Sequence, residues 1–281
     1  MVSTASLAGR RVLITGAARG IGAALAQRLH QRGARVALAG LEPDLLAEVA
    51  KSCGDAPWCE CNVADREQVN RAVTTLVDAL GGLDVVVANA GTAAQMTMVD
   101  GDHRIMERTL AVNALGVYYT LAAAGPHISH RGGYALVTSS AAAGLHLPLM
   151  SAYCASKAAV EAMADCMRAE VAPSGAMVGV AYFAEIDTDM TSRGMQTKAG
   201  EYLSVKSPFT KVSPLSVAID AVEAGIARRA RRVYAPRWVG FVLPVRMGAQ
   251  RMIELGVRRR VAKALDLARD ENAPLTTPQP D

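Results

Sequence analysis

Short apolar runs alternate along most of the chain with longer segments in which apolar and polar residues are mixed. Runs of four to six residues rich in Val, Leu, Ile and Ala are typical of strands covered on both faces of a sheet. The predicted strands are Arg11–Thr15, Arg35–Ala39, Trp58–Val63, Leu83–Ala88, Ala135–Ser139 and Val178–Tyr182.

The intervening segments carry helical spacing of apolar residues and helix end signals. Asp65 is an expected N-cap, and Gly81 and Gly82 an expected helix end. The predicted helices are Ile21–Arg32, Pro43–Lys51, the segment from Asp65 to Leu80, Arg104–His130 and Ser151–Val171. Strands alternating with helices predict an α/β fold with a parallel, doubly wound sheet.

Composition limits the class of protein. The 281 residues are 51% hydrophobic and 20% charged, which excludes a disordered chain and suits one large domain or two small ones. Five cysteines are too few for a disulfide scaffold of this length. Cys53, Cys59 and Cys61 lack the paired spacing of a zinc site, so we expect no metal.

Two stretches contain no Asp, Glu, Lys or Arg, namely 109–130 and 132–156. Their length raises the question of a membrane span. Gly, Pro, Ser and His interrupt both stretches, which favours a buried core or a subunit contact. The N-terminal residues lack the apolar core of a secretory signal, so the expected compartment is the cytoplasm.

A glycine cluster, Thr15–Gly22, follows the first predicted strand and opens the first predicted helix. Glycines in this context let the backbone approach a pyrophosphate, and the helix N-terminus attracts the anion. The spacing is G-x3-G-x-G, and the alternative is a tight turn without a ligand. The predicted cofactor-binding residues of this turn are Thr15, Gly16, Arg19, Gly20, Ile21 and Gly22.

A second constellation suits proton transfer to an alcohol or ketone. Tyr153 and Lys157 are four residues apart on one predicted helix face, where an ammonium is expected to lower the pKa of a phenol. Ser140 follows the fifth predicted strand and could hold a substrate oxygen beside Tyr153. Asn113 lies in the preceding helix, and a water bridge from its side chain to Lys157 is a reasonable partner.

These residues together resemble the short-chain dehydrogenase/reductase (SDR) family over roughly residues 7–235. The resemblance implies a Rossmann-type sheet and hydride transfer between a nicotinamide and a substrate carbon. It assigns Tyr153 as acid/base, Ser140 as oxygen positioner, Lys157 as ribose binder and pKa modulator, and Asn113 as anchor of a proton relay. It also implies a dimer or tetramer built on the predicted helices Arg104–His130 and Ser151–Val171.

The resemblance extends the set of expected cofactor contacts beyond the glycine turn. It adds Asn62, Val63, Asn89, Ala90, Gly91, Tyr153, Lys157, Ile186 and Thr188. Two places depart from the family pattern. Asn62 stands where an Asp is usual, and Tyr182-Phe183-Ala184 replaces Ala-Pro-Gly, which puts the local backbone and the role of Glu185 in doubt.

Residues after the second predicted strand bear on the choice between NADP and NAD. Gly40 cannot provide the acid that usually holds the ribose hydroxyls of NAD. Arg19 could grip a 2′-phosphate, which favours NADP. Leu41 offers no second basic residue, and Glu42 could instead reach a ribose, so NAD stays open.

The predicted substrate walls are 93–98, 145–150 and 185–209, of which 145–150 is strongly apolar. We therefore expect a lipophilic ketone or secondary alcohol as substrate. An adaptable wall is predicted from methionines, which are Met96, Met98, Met150, Met190 and Met195.

The C-terminal part is strongly basic, since residues 226–263 hold eleven Arg or Lys and one acid, Glu254, while the whole chain carries +4. Arginines interleaved with apolar residues suit a helix on an anionic membrane surface. The alternative is a helical cap over the pocket or subunit contact with solvated arginines, and nucleic acid is not expected. The predicted division is a dehydrogenase domain, 1–235, and a helical extension, 236–281, with a disordered tail from 273.

The sequence therefore predicts an NAD(P)-dependent oxidoreductase acting on a hydroxyl/carbonyl pair. The alternative is a catalytically impaired dinucleotide-binding sensor or scaffold, for which the altered Tyr182-Phe183-Ala184 is the only support.

Overall fold

A computed structural model describes residues 7–194, 197–203, 211–271 and 275–276. Seven parallel strands form one sheet in the order β3-β2-β1-β4-β5-β6-β7. The strands are β1 (Arg11–Thr15), β2 (Arg35–Gly40), β3 (Trp58–Glu60), β4 (Val85–Ala88), β5 (Tyr134–Ser140), β6 (Met177–Phe183) and β7 (Arg232–Ala235). This order reverses between β1 and β4, as in a doubly wound Rossmann-type sheet.

Helices connect the strands and continue beyond the last one. They are α1 (Gly20–Gln31), α2 (Pro43–Ser52), α3 (Arg66–Leu80), α4 (His103–Leu110), α5 (Gly116–Ile128), α6 (Ser151–Val171), α7 (Asp189–Gly194), α8 (Lys198–Leu203), α9 (Leu215–Arg228), α10 (Val239–Val242), α11 (Arg246–Val257) and α12 (Val261–Glu271). A π-helical segment, Ala111–Leu115, divides the helix that the sequence predicted as one piece from α4 to α5.

The sheet carries one apolar core on each face because successive side chains of a strand point to opposite sides. Leu13 of β1 packs on the face covered by α3, α5 and α6. Val12 and Ile14 pack on the other face, against α1, α2 and α9. The Rossmann-type α/β prediction is confirmed, and every predicted strand is present with its ends shifted by a few residues.

Among the strands that the structure describes, β7 is the one that sequence reasoning missed. Only Val233 and Ala235 are buried in it, and Arg232 falls within the basic segment, so its apolar pattern is weak. It adds to the sheet edge because Phe183 pairs with Ala235 in parallel register.

The C-terminal helices fold back onto the domain. Gln250 of α11 accepts a hydrogen bond from the His146 N–H at 2.8 Å and donates to the His146 carbonyl at 3.2 Å. Glu271 of α12 accepts from the N–H groups of Lys198 and Ala199 at the start of α8.

The tail predicted to be disordered is described only at Leu275 and Thr276; the rest of it lies outside the described residues. At this one point the structure differs from the prediction. Thr276 is 5% exposed, its N–H donates to the Ala93 carbonyl at 2.9 Å, and its hydroxyl accepts from the Ala93 N–H at 3.0 Å.

Among the residues that the structure describes, no helix is both long and apolar enough to cross a membrane. The same residues contain no group of three His, Cys, Asp or Glu side chains that could hold a metal ion.

Candidate active site

The carboxyl ends of β1 and β4 meet through the hydroxyl of Thr15. This oxygen accepts hydrogen bonds from the N–H groups of Asn89 at 3.1 Å and Ala90 at 3.2 Å. The loop after β4 therefore lies directly against the turn after β1. A Cβ added to Gly16, which has φ +64°, would sit 2.7 Å from Ala90 Cα, so this approach requires a glycine.

Asn89 holds the same junction with its side chain. Its amide nitrogen donates to the carbonyls of Thr15 at 3.1 Å and Gly16 at 3.3 Å, and its oxygen accepts from the Thr138 hydroxyl of β5 at 3.3 Å. The residue predicted as a cofactor contact thus also fixes three strand ends relative to one another.

The glycine turn fits a pyrophosphate. The N-cap residue of α1, Arg19, makes no side-chain cap and no acid lies in the first turn, so the first turn itself places no carboxylate at the positive end of the helix. A Cβ on Gly22 would lie 2.1 Å from the Gly16 carbonyl, which keeps the turn tight. A Cβ added to Gly20 would lie 3.8 Å from Thr188 Cγ2.

The structure places the Ser140 side chain next to the Tyr153 phenol, where it acts to lower the pKa of that phenol. The Ser140 hydroxyl also donates to the Phe183 carbonyl at 3.1 Å and accepts from the Ala142 N–H at 3.1 Å. These contacts fix the serine at the junction of β5 with the following 3-10 turn, Ala141–Ala143.

Lys157 is 3% exposed and lies beside Tyr153. Its Nζ donates to the Thr138 carbonyl at 2.8 Å and stands 5.6 Å from the centre of the Tyr153 ring. Burial lowers the pKa of Lys157 to about 8, because an ammonium is poorly solvated here.

The protein groups by themselves do not give the expected lowering of the tyrosine pKa. Burial raises the pKa of Tyr153 to about 12, and the neighbouring Ser140 side chain offsets only part of that rise. A neighbouring ammonium that is itself desolvated does not outweigh the cost of burying a phenolate. Tyr153 is therefore a protonated acid at neutral pH.

Asn113 is fully buried in the π-helical segment, a distortion that often marks functional positions. Its Oδ1 accepts from the Thr92 N–H at 2.8 Å, and its Nδ2 donates to the Thr92 carbonyl at 2.9 Å and to Ser156 Oγ at 3.0 Å. Both amide protons are thus used on protein partners. The predicted water bridge to Lys157 would therefore have to use the second lone pair of Asn113 Oδ1.

Gly91 leaves open the space between Asn113 and Lys157. A Cβ there would lie 3.4 Å from Asn113 Oδ1 and 3.6 Å from Lys157 Nζ. The predicted residues Ala90 and Gly91 therefore line the floor between the glycine turn and the catalytic candidates.

Arg19 does not point freely into solvent. Its Nε donates to Glu42 Oε2 at 2.7 Å and its Nη2 to Glu42 Oε1, in a two-pronged pair, while its Nη1 reaches Asp189 Oδ2 at 3.2 Å. A guanidinium held in this way is placed to bind an oxyanion, and a carboxylate now takes that position.

Asn62 and Val63 lie at the loop after β3. Asn62 Oδ1 accepts from the Ala64 N–H at 3.0 Å, which uses one lone pair of the group expected to meet an adenine. Val63 is buried against Gly116, where a Cβ would come within 2.8 Å of its side chain.

The departure at Tyr182-Phe183-Ala184 has a structural explanation. The β6–β7 ladder continues to Phe183, and the Ala184 N–H donates to the Ala235 carbonyl at 3.0 Å. Tyr182 stacks on Tyr234 and accepts a hydrogen bond from Arg232 Nη1 at 2.7 Å. The pairing of β6 with β7 and the hydrogen bond from Arg232 to Tyr182 thus hold this segment in place of a rigid Pro-Gly turn. Burial raises the pKa of the adjacent Glu185 carboxyl.

The predicted substrate walls meet. The Met96 N–H donates to the Leu149 carbonyl at 2.9 Å, and the Thr197 hydroxyl donates to Gln95 Oε1 at 2.7 Å. Of the predicted methionine wall, Met96 and Met150 are buried and Met190 is half-buried, whereas Met98 faces solvent. Met195 and residues 204–209 lie outside the described residues.

Sequence reasoning missed Thr138, Ser156 and Thr276, which support the candidate catalytic residues rather than carry chemistry. Ser156 adjoins Lys157, so its position next to a predicted catalytic lysine was an available signal. Thr276 is 184 residues from Thr92, yet their hydroxyl oxygens are 3.2 Å apart, and no sequence pattern indicates that contact.

Comparison with known proteins agrees with this geometry. The short chain dehydrogenase family profile matches residues 10–199. Glycine betaine reductase ATRR of Emericella nidulans is 34% identical over 69% of this chain, which spans 15% of that longer protein. Dehydrogenase/reductase SDR family member 7B of Bos taurus is 31% identical over 76% of this chain and 69% of its own length.

Solved structures show the same fold. A short chain dehydrogenase from Burkholderia cenocepacia in complex with NADP superposes with a TM-score of 0.74 at 28% identity, covering 82% of this chain and 97% of its own. A Burkholderia phymatum enzyme in complex with NAD gives a TM-score of 0.76 at 18% identity, covering 88% and 96%, which supports the fold alone.

A Rossmann-type sheet with a glycine turn and a Ser–Tyr–Lys site at its carboxyl edge defines an oxidoreductase for a hydroxyl/carbonyl pair. The chain belongs to the short-chain dehydrogenase/reductase family.

Burial of Lys157 predicts a measurable stability change. Its pKa falls from 10.5 in the open chain to about 8 when folded, so the charged form destabilises the fold at pH 7. We expect Lys157→Met to raise the free energy of unfolding at pH 7 by about 2 kcal/mol. In the wild type this penalty is complete below pH 8 and fades between pH 8 and 10.5.

Urea unfolding at pH 7 and pH 10 measures both effects, with the exposed Lys51→Met as the matched control. Equal stabilities of Lys157→Met and wild type at pH 7 would show that the bond to the Thr138 carbonyl fully compensates the buried charge.

Proposed function

We propose that this protein transfers a hydride between NADP and a lipophilic ketone or secondary alcohol, with Tyr153 as the acid/base. The observation that carries the proposal is the placement of Ser140 and of the buried Lys157 beside Tyr153. The bound nicotinamide would supply or accept the hydride, with Thr188, Ile186 and the glycine turn as its expected contacts.

The protein groups would move and hold a proton. Ser140 orients the substrate oxygen towards Tyr153, whose raised pKa keeps the phenol protonated and ready to donate as a carbonyl is reduced. Lys157 stands near the ring to stabilise the phenolate that forms. Ser156 and Thr92 hold Asn113, which anchors the proposed proton relay.

The apolar substrate walls support a lipophilic substrate. Met96, Leu149 and Met150 are buried where the walls meet, and none of them offers a hydrogen bond to a sugar or an ionic metabolite. Gln95 Oε1 accepts a hydrogen bond from Thr197. The specificity therefore rests on burial of apolar surface together with the two polar groups at the reacting oxygen.

Arg19 supports NADP as the preferred cofactor. The guanidinium is preorganised by Glu42 and Asp189 next to the glycine turn, and a 2′-phosphate would replace the Glu42 carboxylate as its bidentate partner. NAD is the alternative, in which Glu42 would accept a hydrogen bond from a ribose hydroxyl.

We further propose that the protein acts in the cytoplasm as a homo-oligomer. All five cysteines are unpaired, as a reducing compartment favours. Leu115, just before α5, and Tyr118, on α5, are both exposed. On α6 the small residues Ala155 and Ala162 are exposed. A flat face of apolar and small side chains suits close packing of helices from two copies.

The first experiment separates an enzyme from a sensor. Wild type and Tyr153→Phe are incubated with a lipid extract and with NADPH or NADH deuterated at the transferable position, and products gaining one deuterium are sought by mass spectrometry. We expect labelling by wild type and a loss of at least about a hundredfold in Tyr153→Phe, because the proton donor is removed.

Tyr119→Phe is the matched control and should retain turnover. Cofactor binding is followed in parallel by nicotinamide fluorescence. Binding without any labelled product, in wild type as in Tyr153→Phe, would favour the sensor or scaffold.

A charge change tests the cofactor preference. We expect Glu42→Gln to bind NADPH on the order of tenfold more tightly, since Arg19 is released for the phosphate. Arg19→Gln should weaken NADPH by a similar factor or more and leave NADH nearly unchanged. Fluorescence titration with both cofactors measures this, and a loss of NADH affinity in Glu42→Gln without a gain for NADPH would identify NAD as the cofactor.

Light scattering on a sizing column tests the oligomer. Two arginines at exposed positions of α5, Tyr118→Arg with Ala122→Arg, should reduce a dimer or tetramer to smaller species by like-charge repulsion. Thr74→Arg with Ala79→Arg, on the exposed face of α3, is the control. A wild type that already elutes with the mass of one chain would refute the oligomer.

A further inference from the structure

One face of α11 combines exposed apolar side chains with arginines. At about 100° per residue, four of its side chains, Met247, Arg251, Met252 and Leu255, fall within an arc of about 140°. Arg258 and Arg259 follow in the turn after the helix ends at Val257. We call these six residues the basic apolar face. Met247 is 85% exposed, Met252 70% and Leu255 60%, and the three arginines are exposed as well.

The opposite side of α11 is attached to the domain, so the helix has a fixed orientation. Val257 is buried, Gln250 holds both backbone polar groups of His146, and Arg246 pairs with Glu161 of α6 at 3.3 Å. The basic apolar face is therefore presented outward by a helix that the fold itself anchors.

Further apolar surface precedes this helix. Phe241 is 79% exposed, and Val245 is exposed as well. Together with the three apolar residues of α11, they make five large exposed apolar side chains within fifteen residues. So dense a group is unusual on a monomer's surface and indicates a binding site.

The charge of the face is unbalanced. Among the described residues, Arg251, Arg258 and Arg259 have no acidic partner, whereas Arg11 and Arg28 form ion pairs with carboxylates. Glu254 is the one acid of the helix, at the edge of the arc, where it accepts a hydrogen bond from Gln250 at 3.2 Å. The face is therefore complementary to a partner that is both negatively charged and apolar.

We propose that the basic apolar face binds the surface of an anionic phospholipid bilayer, with α11 lying in the plane of the interface. Lipid headgroups match unpaired arginines, and the acyl boundary accepts Met, Leu and Phe side chains. A second copy packed by two-fold symmetry would set arginines against arginines. Nucleic acid would leave the apolar side chains without a partner.

The placement has a consequence that rests on the proposed function. Gln250 of α11 forms hydrogen bonds with both backbone polar groups of His146. His146 belongs to the apolar loop 145–150 of the substrate walls, so α11 directly contacts a wall of the proposed pocket. A lipophilic substrate dissolved in the bilayer would then have a short path to Tyr153.

Vesicle co-sedimentation tests the proposal with purified full-length protein. The vesicles are phosphatidylcholine alone or phosphatidylcholine with 30% phosphatidylserine, at about 0.15 M and 0.5 M salt. We expect binding to the anionic vesicles that falls at high salt. Replacing Arg251, Arg258 and Arg259 by Gln should weaken it about a hundredfold, and replacing Met247, Met252 and Leu255 by Ser should also weaken it.

The charge-matched control replaces Arg35, Arg131 and Arg231 by Gln, because these exposed arginines lie at or just before the amino ends of strands, away from the carboxyl edge of the sheet. It should bind as wild type does. Tyr153→Phe should bind vesicles fully, and the α11 arginine variant should keep its turnover of a water-soluble carbonyl. Membrane binding and catalysis therefore succeed or fail separately.

Equal binding to neutral vesicles, no binding to anionic ones, or undiminished binding by the α11 arginine variant would overturn the proposal. A lower mass of that variant in light scattering, without vesicle binding by wild type, would reassign the face to contacts between copies. Binding of a short DNA duplex in place of vesicles would reassign it to nucleic acid.

Discussion

The close approach of the turn after β1 to the loop after β4 is the constraint on which the site depends. The Thr15 hydroxyl accepts two backbone N–H groups of that loop, and Gly16 leaves room for Ala90 where any side chain would collide. Asn89 extends the junction to β5. Because the strand ends are fixed together, the glycine turn, Ser140 and the start of α6 take up defined positions around one floor.

Burial determines the pKa values of the ionisable side chains at this site. The same dry surroundings raise the pKa of Tyr153 and lower that of Lys157, so a protonated phenol lies beside an ammonium that gives up its proton easily. Such a pair is costly for stability, since the ammonium is held by one carbonyl and the ring of Tyr153. A strained, poorly solvated group of this kind is typical of a functional site.

The C-terminal segment has an inward and an outward side that its sequence pattern did not separate. Its inward side completes the domain: Arg232 pairs with Asp165 of α6, Gln250 holds the loop at His146, and Glu271 caps α8. Its outward side carries the unpaired arginines and exposed methionines of α11. These inward contacts match the helical cap that the sequence offered as one alternative, and the outward side of α11 is the surface for which we propose membrane binding.

Local patterns were enough to predict the parallel sheet, the glycine turn, the N-cap at Asp65 and the order of Asn113, Ser140, Tyr153 and Lys157. Each of these depends on neighbours along the chain: apolar period, a capping side chain, or spacing on one helix face. The confirmed strand ends then placed the catalytic candidates at one edge.

Tertiary structure alone decided the rest, because those features arise between segments far apart in sequence. Burial and long-range partners determine four such features. These are the pairing of Arg19 with Glu42, the pKa of Tyr153, the position of β7 at the sheet edge, and the hydrogen bonds between Thr276 and Ala93. A side chain's charge state follows from the solvent and charges around it, and a sequence read in one dimension does not contain them.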